Sequence, residues 1–197
     1  MKKQRTTVSV SDVSLEQLES ELQKTQKSRT FATMLRYVLV ALLVAAAAAV
    51  LVATLLMPVL QIYGSSMTET LYDGDFVVSV KGNDFERGDV IAFYYNNKIL
   101  VKRVIAFSGE WVNIDAQGNV YVNDELLNEP YVTEKALGEC NIELPYQVPE
   151  ERLFLMGDHR SVSIDSRNTA VGCVAEEQIV GRLVFRVWPL DSIGNVE

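Results

Sequence analysis

VLVALLVAAAAAVLVATLLM, the stretch Val38–Met57, divides this chain of 197 residues into two parts of different character. Its twenty residues carry no charge, and Thr54 is the one polar side chain among them. A helix of this length extends about 30 Å, the thickness of the hydrocarbon core of a bilayer. A secretory leader would have a shorter apolar core and would not follow so long an N-terminal segment. An Ala-rich run could also form a buried core helix, but the lack of any charge over twenty residues favours a transmembrane helix.

Charge is distributed unequally on the two sides of that stretch. Residues 1–36 contain seven Lys or Arg and four acids, net +3, whereas the other 161 residues contain eleven basic and twenty-two acidic residues, net −11. Basic residues mark the cytoplasmic end of a membrane helix, and the first basic residue after the span is Lys81. We therefore expect a cytoplasmic segment (1–36), a transmembrane helix (37–60) and an extracytoplasmic domain (61–197).

The overall composition excludes several classes of protein. Hydrophobic residues make up 48% of the chain and charged residues 22%, which is typical of a globular protein and not of a disordered one. The net charge of −8 argues against nucleic acid as a partner. Cys140 and Cys173 both lie in the domain expected outside, where a disulfide could form, but their spacing leaves pairing open. Two thiols and a single histidine do not make a zinc site, and we expect no metal or cofactor.

Beyond residue 60 the hydrophobic pattern becomes that of β-strands. Short runs rich in β-branched and aromatic residues alternate with Gly, Asn and Asp turns, and no long segment has helical periodicity. These runs cover residues 75–81, 89–95, 99–107, 111–114, 120–123, 152–156 and 179–187. We predict a mainly β protein, with an antiparallel β domain and one N-terminal transmembrane helix. Before the span, Leu15, Leu18 and Leu22 at helical spacing predict a short amphipathic helix.

Two clusters in this domain are candidates for catalytic residues. One lies close to the span and the other lies within a strand. Gly64–Thr68 (GSSMT) offers hydroxyl groups, although it could be no more than a turn that leaves the membrane. Lys102 and Arg103 lie within an apolar strand, where alternation places Lys102 on the face of Leu100 and Val104. Burial lowers the pKa of a lysine, which can then act as a general base near neutral pH. The alternative is an edge lysine whose ammonium reaches solvent.

A third cluster and a tripeptide complete the candidates. Met156–Arg167 (MGDHRSVSIDSR) is dense in hydroxyl groups, acids and arginines, and it follows a predicted strand. A solvated loop with Asp–Arg pairs would have the same composition. Arg87–Asp89 spells an adhesion-like tripeptide, but Gly-Asp before an apolar run is typical of a turn that enters a strand.

Together and in this order, the motifs resemble those of bacterial type I signal peptidases, in their compact Gram-positive-like form. The resemblance extends from Val38 to Pro189. Its motifs are Gly64–Leu71, Arg87–Phe93 (RGDVIAF), Val101–Glu110 (VKRVIAFSGE), Leu127–Tyr131 and Met156–Arg167. It implies a membrane-anchored serine endopeptidase that cleaves N-terminal signal peptides from exported preproteins at the outer face of the cytoplasmic membrane. The partners implied are preprotein signal peptides and the lipid bilayer, and we expect a monomer.

The resemblance also implies roles for individual residues. Ser66 matches the nucleophile and Lys102 the general base of a Ser-Lys dyad, a variant of the Ser-His-Asp arrangement. Ser163 matches a hydroxyl group that hydrogen-bonds to that lysine and orients it. Asp165 and Arg167 match a supporting pair. The residues implied to contact substrate are Gly64, Ser65 and Met67.

Two further implied roles concern the oxyanion and the loop that carries Ser163. The backbone N–H of Ser66 would stabilise the oxyanion, while Gly64 replaces a hydroxyl residue that supplies a second donor in some members. Asp158 and Arg160 would brace the loop that carries Ser163.

Some positions depart from the family pattern and leave alternatives open. Glu69 replaces a usual proline and would raise the pKa of Lys102, while Ala106 and Ser108 replace a common glycine and proline. His159 stands where asparagine is usual; as the base of a Ser-His-Asp hydrolase it would lack the G-x-S-x-G elbow. The alternatives are a specialised peptidase for pilin or another narrow set of clients, a self-cleaving repressor, and an inactive membrane-anchored binding module.

Overall fold

The computed structural model describes residues 15–82 and 84–196. Residues 1–14 of the expected cytoplasmic segment, together with Asn83 and Glu197, lie outside the described residues. The chain forms two compact units, one ending at Val52 and the other beginning at Ala53.

The first structural element is a single helix, α1 (Leu15–Leu56), of 42 residues. Its most apolar window has a mean hydropathy of 2.9 and is fully exposed, so that by length and composition the helix can cross a membrane. The sequence predicted two separate helical segments here. They are continuous because no Gly or Pro interrupts residues 15–56, and most of the residues between them are Gln, Lys, Arg, Ala, Met or Leu, which are good helix formers. Pro58 disfavours helix at the residue before it and accounts for the end of α1.

Beyond α1, the described residues form twelve strands and two short 3-10 turns. The seven predicted strands are all present, as β2 to β6, β9 and β11, so the prediction of a mainly β domain is confirmed. The strands are β1 (Val59–Gln61), β2 (Phe76–Val80), β3 (Val90–Tyr95), β4 (Lys98–Ala106), β5 (Trp111–Ile114), β6 (Val120–Val122), β7 (Glu125–Leu126), β8 (Tyr146–Gln147), β9 (Arg152–Met156), β10 (Val174–Ala175), β11 (Ile179–Trp188) and β12 (Gly194–Asn195).

The strands form two sheets in which every neighbouring pair is antiparallel. The larger sheet has the order β1-β2-β11-β3-β4-β9-β10, with β12 added to β11, and the smaller has the order β7-β6-β5-β8. Successive side chains of a strand point to opposite faces, and the apolar residues of β3 and β4 accordingly enter different clusters of the core. Ile91 and Val104 pack with Leu155, whereas Val90 and Ala92 pack with Leu183.

Strand register places the third sequence cluster beside Lys102. In the antiparallel pair of β4 and β9, Arg103 lies opposite Met156. Since β9 ends at Met156, the next position along β4, Lys102, is flanked by the loop that begins at Gly157. Lys102 also pairs with Ile91 of β3 on its other side. The sheet therefore brings together two motifs that are more than fifty residues apart in the sequence.

Candidate active site

Ser66 lies in a turn that connects β1 to β2. The turn is held by two buried side chains, Met67 and Leu71, which belong to the same core cluster as Ile62 and Val77. The N–H of Leu71 donates to the Met67 carbonyl at 2.8 Å, so this part of the turn is tightly wound. Ser66 itself is half-buried. Anchoring directly after Ser66 positions its hydroxyl group without covering it.

Lys102 lies against this hydroxyl group. Its Nζ is 2.6 Å from Ser66 Oγ, and the side chain is only 3% exposed. Burial lowers the pKa of Lys102 from 10.5 to about 8, while the negative charges of Asp165 and Asp158 oppose that shift and the positive charge of Arg167 adds to it. The lysine is therefore a buried amine with an appreciable neutral fraction close to neutral pH. Glu69, which the sequence suggested would raise this pKa, is an exposed side chain.

A buried carboxylate, Asp165, organises the loop beside Lys102. The Arg167 guanidinium donates to both of its oxygens, Nε to Oδ1 and Nη2 to Oδ2, each at 2.8 Å. The Gly157 N–H and the Ser163 hydroxyl also donate to Oδ2, at 2.9 and 2.7 Å. Burial alone would raise the pKa of Asp165, but the hydrogen bonds and the charge of Arg167 outweigh burial and lower it. The pairing of Asp165 with Arg167 agrees with the sequence-based expectation.

The position of Ser163 differs from the expectation in one respect. The family resemblance implied a hydrogen bond from Ser163 to Lys102, whereas in this structure its hydroxyl group donates to Asp165. The acceptor is two residues away on the same loop and is negatively charged, so it competes effectively for the single hydroxyl proton. Ser163 still adjoins the site. A Cβ added at Gly157 would collide with both the Ser163 hydroxyl and the Ser66 carbonyl oxygen, 2.5 Å away.

Arg103 is buried on the other side of β4, where it binds Asp158. Its Nε and Nη2 donate to the two oxygens of Asp158 at 2.9 and 2.7 Å, and its guanidinium stacks on the Tyr131 ring at 3.9 Å. Thr70, in the turn that follows Ser66, donates to Asp158 Oδ2 at 2.5 Å. From strand alternation, only Lys102 was expected to lie on the same face as apolar side chains. Both residues are buried because Asp158 supplies the opposite charge on the second side.

Arg160 makes a second buried pair that the sequence did not indicate. Its guanidinium donates to both oxygens of Glu129, at 2.5 and 3.1 Å, and Nε donates to the Gly157 carbonyl at 3.1 Å. Asp158 and Arg160 thus do brace the loop, but each does so through a distant partner. Glu129 lies within the Leu127–Tyr131 motif. That motif is part of the family resemblance, but the resemblance implied no role for the glutamate.

A groove of about 780 Å³ opens at Ser66 and Lys102. It is lined by residues 59–64 on one side and 97–102 on the other, with Ser66 and Met67 at its end. Gly64 and Met67, both expected to contact substrate, line it; Ser65 is exposed but is not among the lining residues. Within the described residues, β1 pairs only with β2 and residues 98–101 of β4 pair only with β3. Both walls therefore present open strand edges to the groove.

The remaining candidates from the sequence are not members of the dyad. Cys140 and Cys173 are both free thiols, the first half-buried and the second buried. Burial raises the pKa of Cys173 to about 11. His159 contacts the Ser66 turn but not the Ser66 hydroxyl: its Nδ1 lies 2.9 Å from Thr68 Oγ1. Among the described residues, no group of three or more His, Cys, Asp or Glu could hold a metal ion.

Comparison with known proteins shows the family of the chain. Residues 34–188 match the family described as signal peptidase, peptidase S26. The chain belongs to this family. It is 30% identical over 187 residues to signal peptidase I of Bacillus amyloliquefaciens. The alignment covers 89% of this chain and 98% of that protein.

Two further relatives extend the comparison. Thylakoidal processing peptidase 1 of Arabidopsis thaliana is 34% identical to this chain. The alignment covers 66% of this chain and 42% of that protein. A signal peptidase I from Enterococcus faecalis V583, solved as a crystal structure, is 30% identical in sequence to this chain. The structural match covers 51% of this chain and 97% of that one, with a TM-score of 0.41. Family membership confirms the predicted resemblance and the enzyme class, a serine endopeptidase that acts on signal peptides. Together with α1, it indicates a membrane-anchored S26 peptidase.

Proposed function

We propose that Ser66 and Lys102 form the catalytic dyad and cleave a signal peptide held as an extended strand in the groove. The observation that carries this proposal is the 2.6 Å contact between a half-buried serine hydroxyl and a buried lysine amine. A serine hydroxyl is a poor nucleophile until a base accepts its proton. Burial keeps part of Lys102 neutral, so that its lone pair can accept that proton.

The chemistry follows from this contact. Ser66 Oγ attacks the scissile carbonyl carbon as its proton passes to Lys102 Nζ, and an oxyanion forms. The Ser66 N–H makes no intramolecular hydrogen bond within the described part of the chain, and it is free to donate to that oxyanion. The Lys102 ammonium then returns the proton to the leaving amine, which departs as the new N-terminus of the mature protein. Lys102 then deprotonates a water that attacks the acyl carbon. The bond between that carbon and Ser66 Oγ breaks, Lys102 returns the proton to Ser66 Oγ, and the signal peptide leaves with a new C-terminal carboxylate.

The groove accounts for the recognition of an extended peptide. A segment of preprotein that enters between β1 and β4 can hydrogen-bond to either open edge, as peptides do when they add a strand to a sheet. Its volume of about 780 Å³ lies within the range of ligand pockets in proteins. The resemblance implies small side chains at the first and third positions before the scissile bond.

Asp165, Arg167 and Ser163 support the dyad in this proposal. The carboxylate of Asp165 favours the ammonium form of Lys102 and the Arg167 charge disfavours it, so the pair moderates the pKa of the base. The Gly157 N–H bonded to Asp165 Oδ2 closes this loop on itself, and the His159 N–H bonded to the Ser66 carbonyl holds the loop against Ser66. These residues adjust the dyad and do not exchange protons with substrate.

The membrane location is also part of the proposal. Basic residues lie just before the span and the first one after it is Lys81, which favours a cytoplasmic N-terminus and an extracytoplasmic domain. In this arrangement the enzyme acts as a monomer at the outer face of the cytoplasmic membrane. The site then lies where the apolar segment of a signal peptide ends.

One experiment tests reaction and orientation together. The full chain is expressed and sealed right-side-out membrane vesicles are supplied externally with a peptide that spans a signal-peptide junction. We expect cleavage at the junction, without a need for detergent, and a loss of about 10³-fold or more in Ser66→Ala. Ser192→Ala, at a half-buried position of the 3-10 turn Leu190–Ser192 far from this site in sequence, serves as the control and should cleave normally. Undiminished cleavage by Ser66→Ala would refute the nucleophile, and cleavage only after detergent would refute the orientation.

A further inference from the structure

His159, the single histidine of the chain, joins the two segments that build the active site. Its backbone N–H donates to the Ser66 carbonyl at 3.1 Å. Its own carbonyl accepts the N–H groups of Val162 and Ser163, at 3.2 and 3.1 Å. The residue is therefore hydrogen-bonded to the nucleophile's turn on one side and to the Ser163 loop on the other.

The imidazole adds a second connection to the same turn. Nδ1 lies 2.9 Å from Thr68 Oγ1 and 3.3 Å from the Ser65 carbonyl oxygen. The Thr68 hydroxyl donates to that same carbonyl at 2.7 Å. Ser65 and Thr68 flank Ser66 and Met67, so these contacts close a small ring of hydrogen bonds around the residue that carries the nucleophilic hydroxyl.

Donor counting defines what the imidazole supplies. A threonine hydroxyl has one proton, and Thr68 uses it on the Ser65 carbonyl. Nδ1 faces two acceptors, the Thr68 oxygen and the Ser65 carbonyl, so it has to carry a proton and donate it. A nitrogen in that state cannot accept the Ser66 proton. The imidazole contacts Thr68 and the Ser65 carbonyl and not the Ser66 hydroxyl, which contacts Lys102 instead.

We propose that His159 is a positioning residue for Ser66, acting through an Nδ1–H donor that holds the Ser65–Thr68 turn. The inference rests on the proposed role of Ser66 as nucleophile. Displacement of a nucleophile by about 1 Å can cost about 10²-fold in rate. Loss of the donor should accordingly lower kcat and leave KM nearly unchanged, because His159 is not among the residues that line the groove.

Two substitutions of similar size distinguish a positioned donor from general packing. In His159→Asn, the side-chain amide nitrogen can occupy the place of Nδ1, whereas in His159→Gln the amide lies one carbon further out. We expect kcat of His159→Asn to stay within about threefold of wild type and kcat of both His159→Gln and His159→Ala to fall about 10- to 10²-fold. A purely structural role would not separate Asn from Gln in this direction.

A double-mutant cycle with Thr68 checks the partner. Thr68→Val removes the acceptor, and His159→Ala should then cost little more in the Thr68→Val background, since both changes break the same contact. The inference is overturned if His159→Ala has the kcat of wild type while Ser66→Ala is inactive, if Gln replaces histidine better than Asn, or if the two losses simply add. Full activity in Ser66→Ala would instead refute the proposed function itself.

Discussion

Lys102→Met is expected to lower kcat/KM for signal-peptide cleavage by about 10³-fold or more. Methionine fills nearly the same volume as the buried lysine stem but has no amine to accept the Ser66 proton. General-base catalysis contributes about 10²- to 10⁴-fold, and dyad members act as a unit, so that removal of either one costs nearly as much as removal of both. Single-turnover cleavage of a junction peptide by the full chain in detergent measures the loss.

The matched control for this substitution is Lys81→Met. Lys81 is an exposed lysine outside the site, and its replacement should leave kcat/KM within about twofold of wild type. The double variant with Ser66→Ala should be no slower than Ser66→Ala alone, because the base has no proton to accept once the hydroxyl is absent. If Lys102→Met keeps more than about a tenth of the wild-type rate, a different group activates Ser66 and the dyad is wrong.

Glu129→Gln is expected to destabilise the β domain by about 3 kcal/mol or more. The substitution preserves the shape of the side chain but removes the charge that Arg160, fully buried, binds through two hydrogen bonds. Breaking a buried ion pair by removing one partner typically costs about 3–5 kcal/mol, since the other charge stays buried without compensation. Urea unfolding followed by tryptophan fluorescence is a suitable measurement, because both tryptophans, Trp111 and Trp188, lie in this domain.

Glu125→Gln is the control for that experiment. Glu125 is an exposed glutamate in β7, and its replacement should change the free energy of unfolding by less than about 0.5 kcal/mol. With a urea m-value of about 1–3 kcal/mol/M, the Glu129→Gln midpoint should fall by about 1 M or more. A midpoint that matches the control would mean that the pair with Arg160 contributes little to the stability of the fold.

Strand patterning predicted most of the fold, and its failures have physical causes. Runs of four or more residues, such as β4 and β11, carry enough alternation and β-branched residues to be recognised. The five unpredicted strands, β1, β7, β8, β10 and β12, have only two or three residues each. Their pairing depends on neighbouring strands and not on their own composition. The continuity of α1 was missed because charged residues lower hydropathy without lowering helix propensity.

The candidate site was predictable where its residues lie within ordered motifs. Ser66 and Lys102 could be named from the resemblance, and strand alternation supported a buried Lys102. The pairs that position them could not: Arg103 and Asp158 are 55 residues apart, and Arg160 and Glu129 are 31 apart. Sequence spacing contains no information about such contacts. Ser163 was expected to hydrogen-bond to Lys102 but donates its hydroxyl proton to Asp165, because the nearer, charged acceptor on its own loop is the stronger one.

The pH dependence of kcat/KM tests the central claim, that a neutral Lys102 takes the proton of Ser66. Only the neutral amine can accept a proton, so the rate rises as pH passes upward through the pKa of Lys102, which burial lowers to about 8. We predict an acid limb with a midpoint near pH 8 in the wild type and the same midpoint in His159→Asn. A limb near pH 10 would mean that burial does not lower the pKa of the base. An acid limb that disappears in His159→Asn would assign the base to histidine and contradict the Ser66–Lys102 dyad.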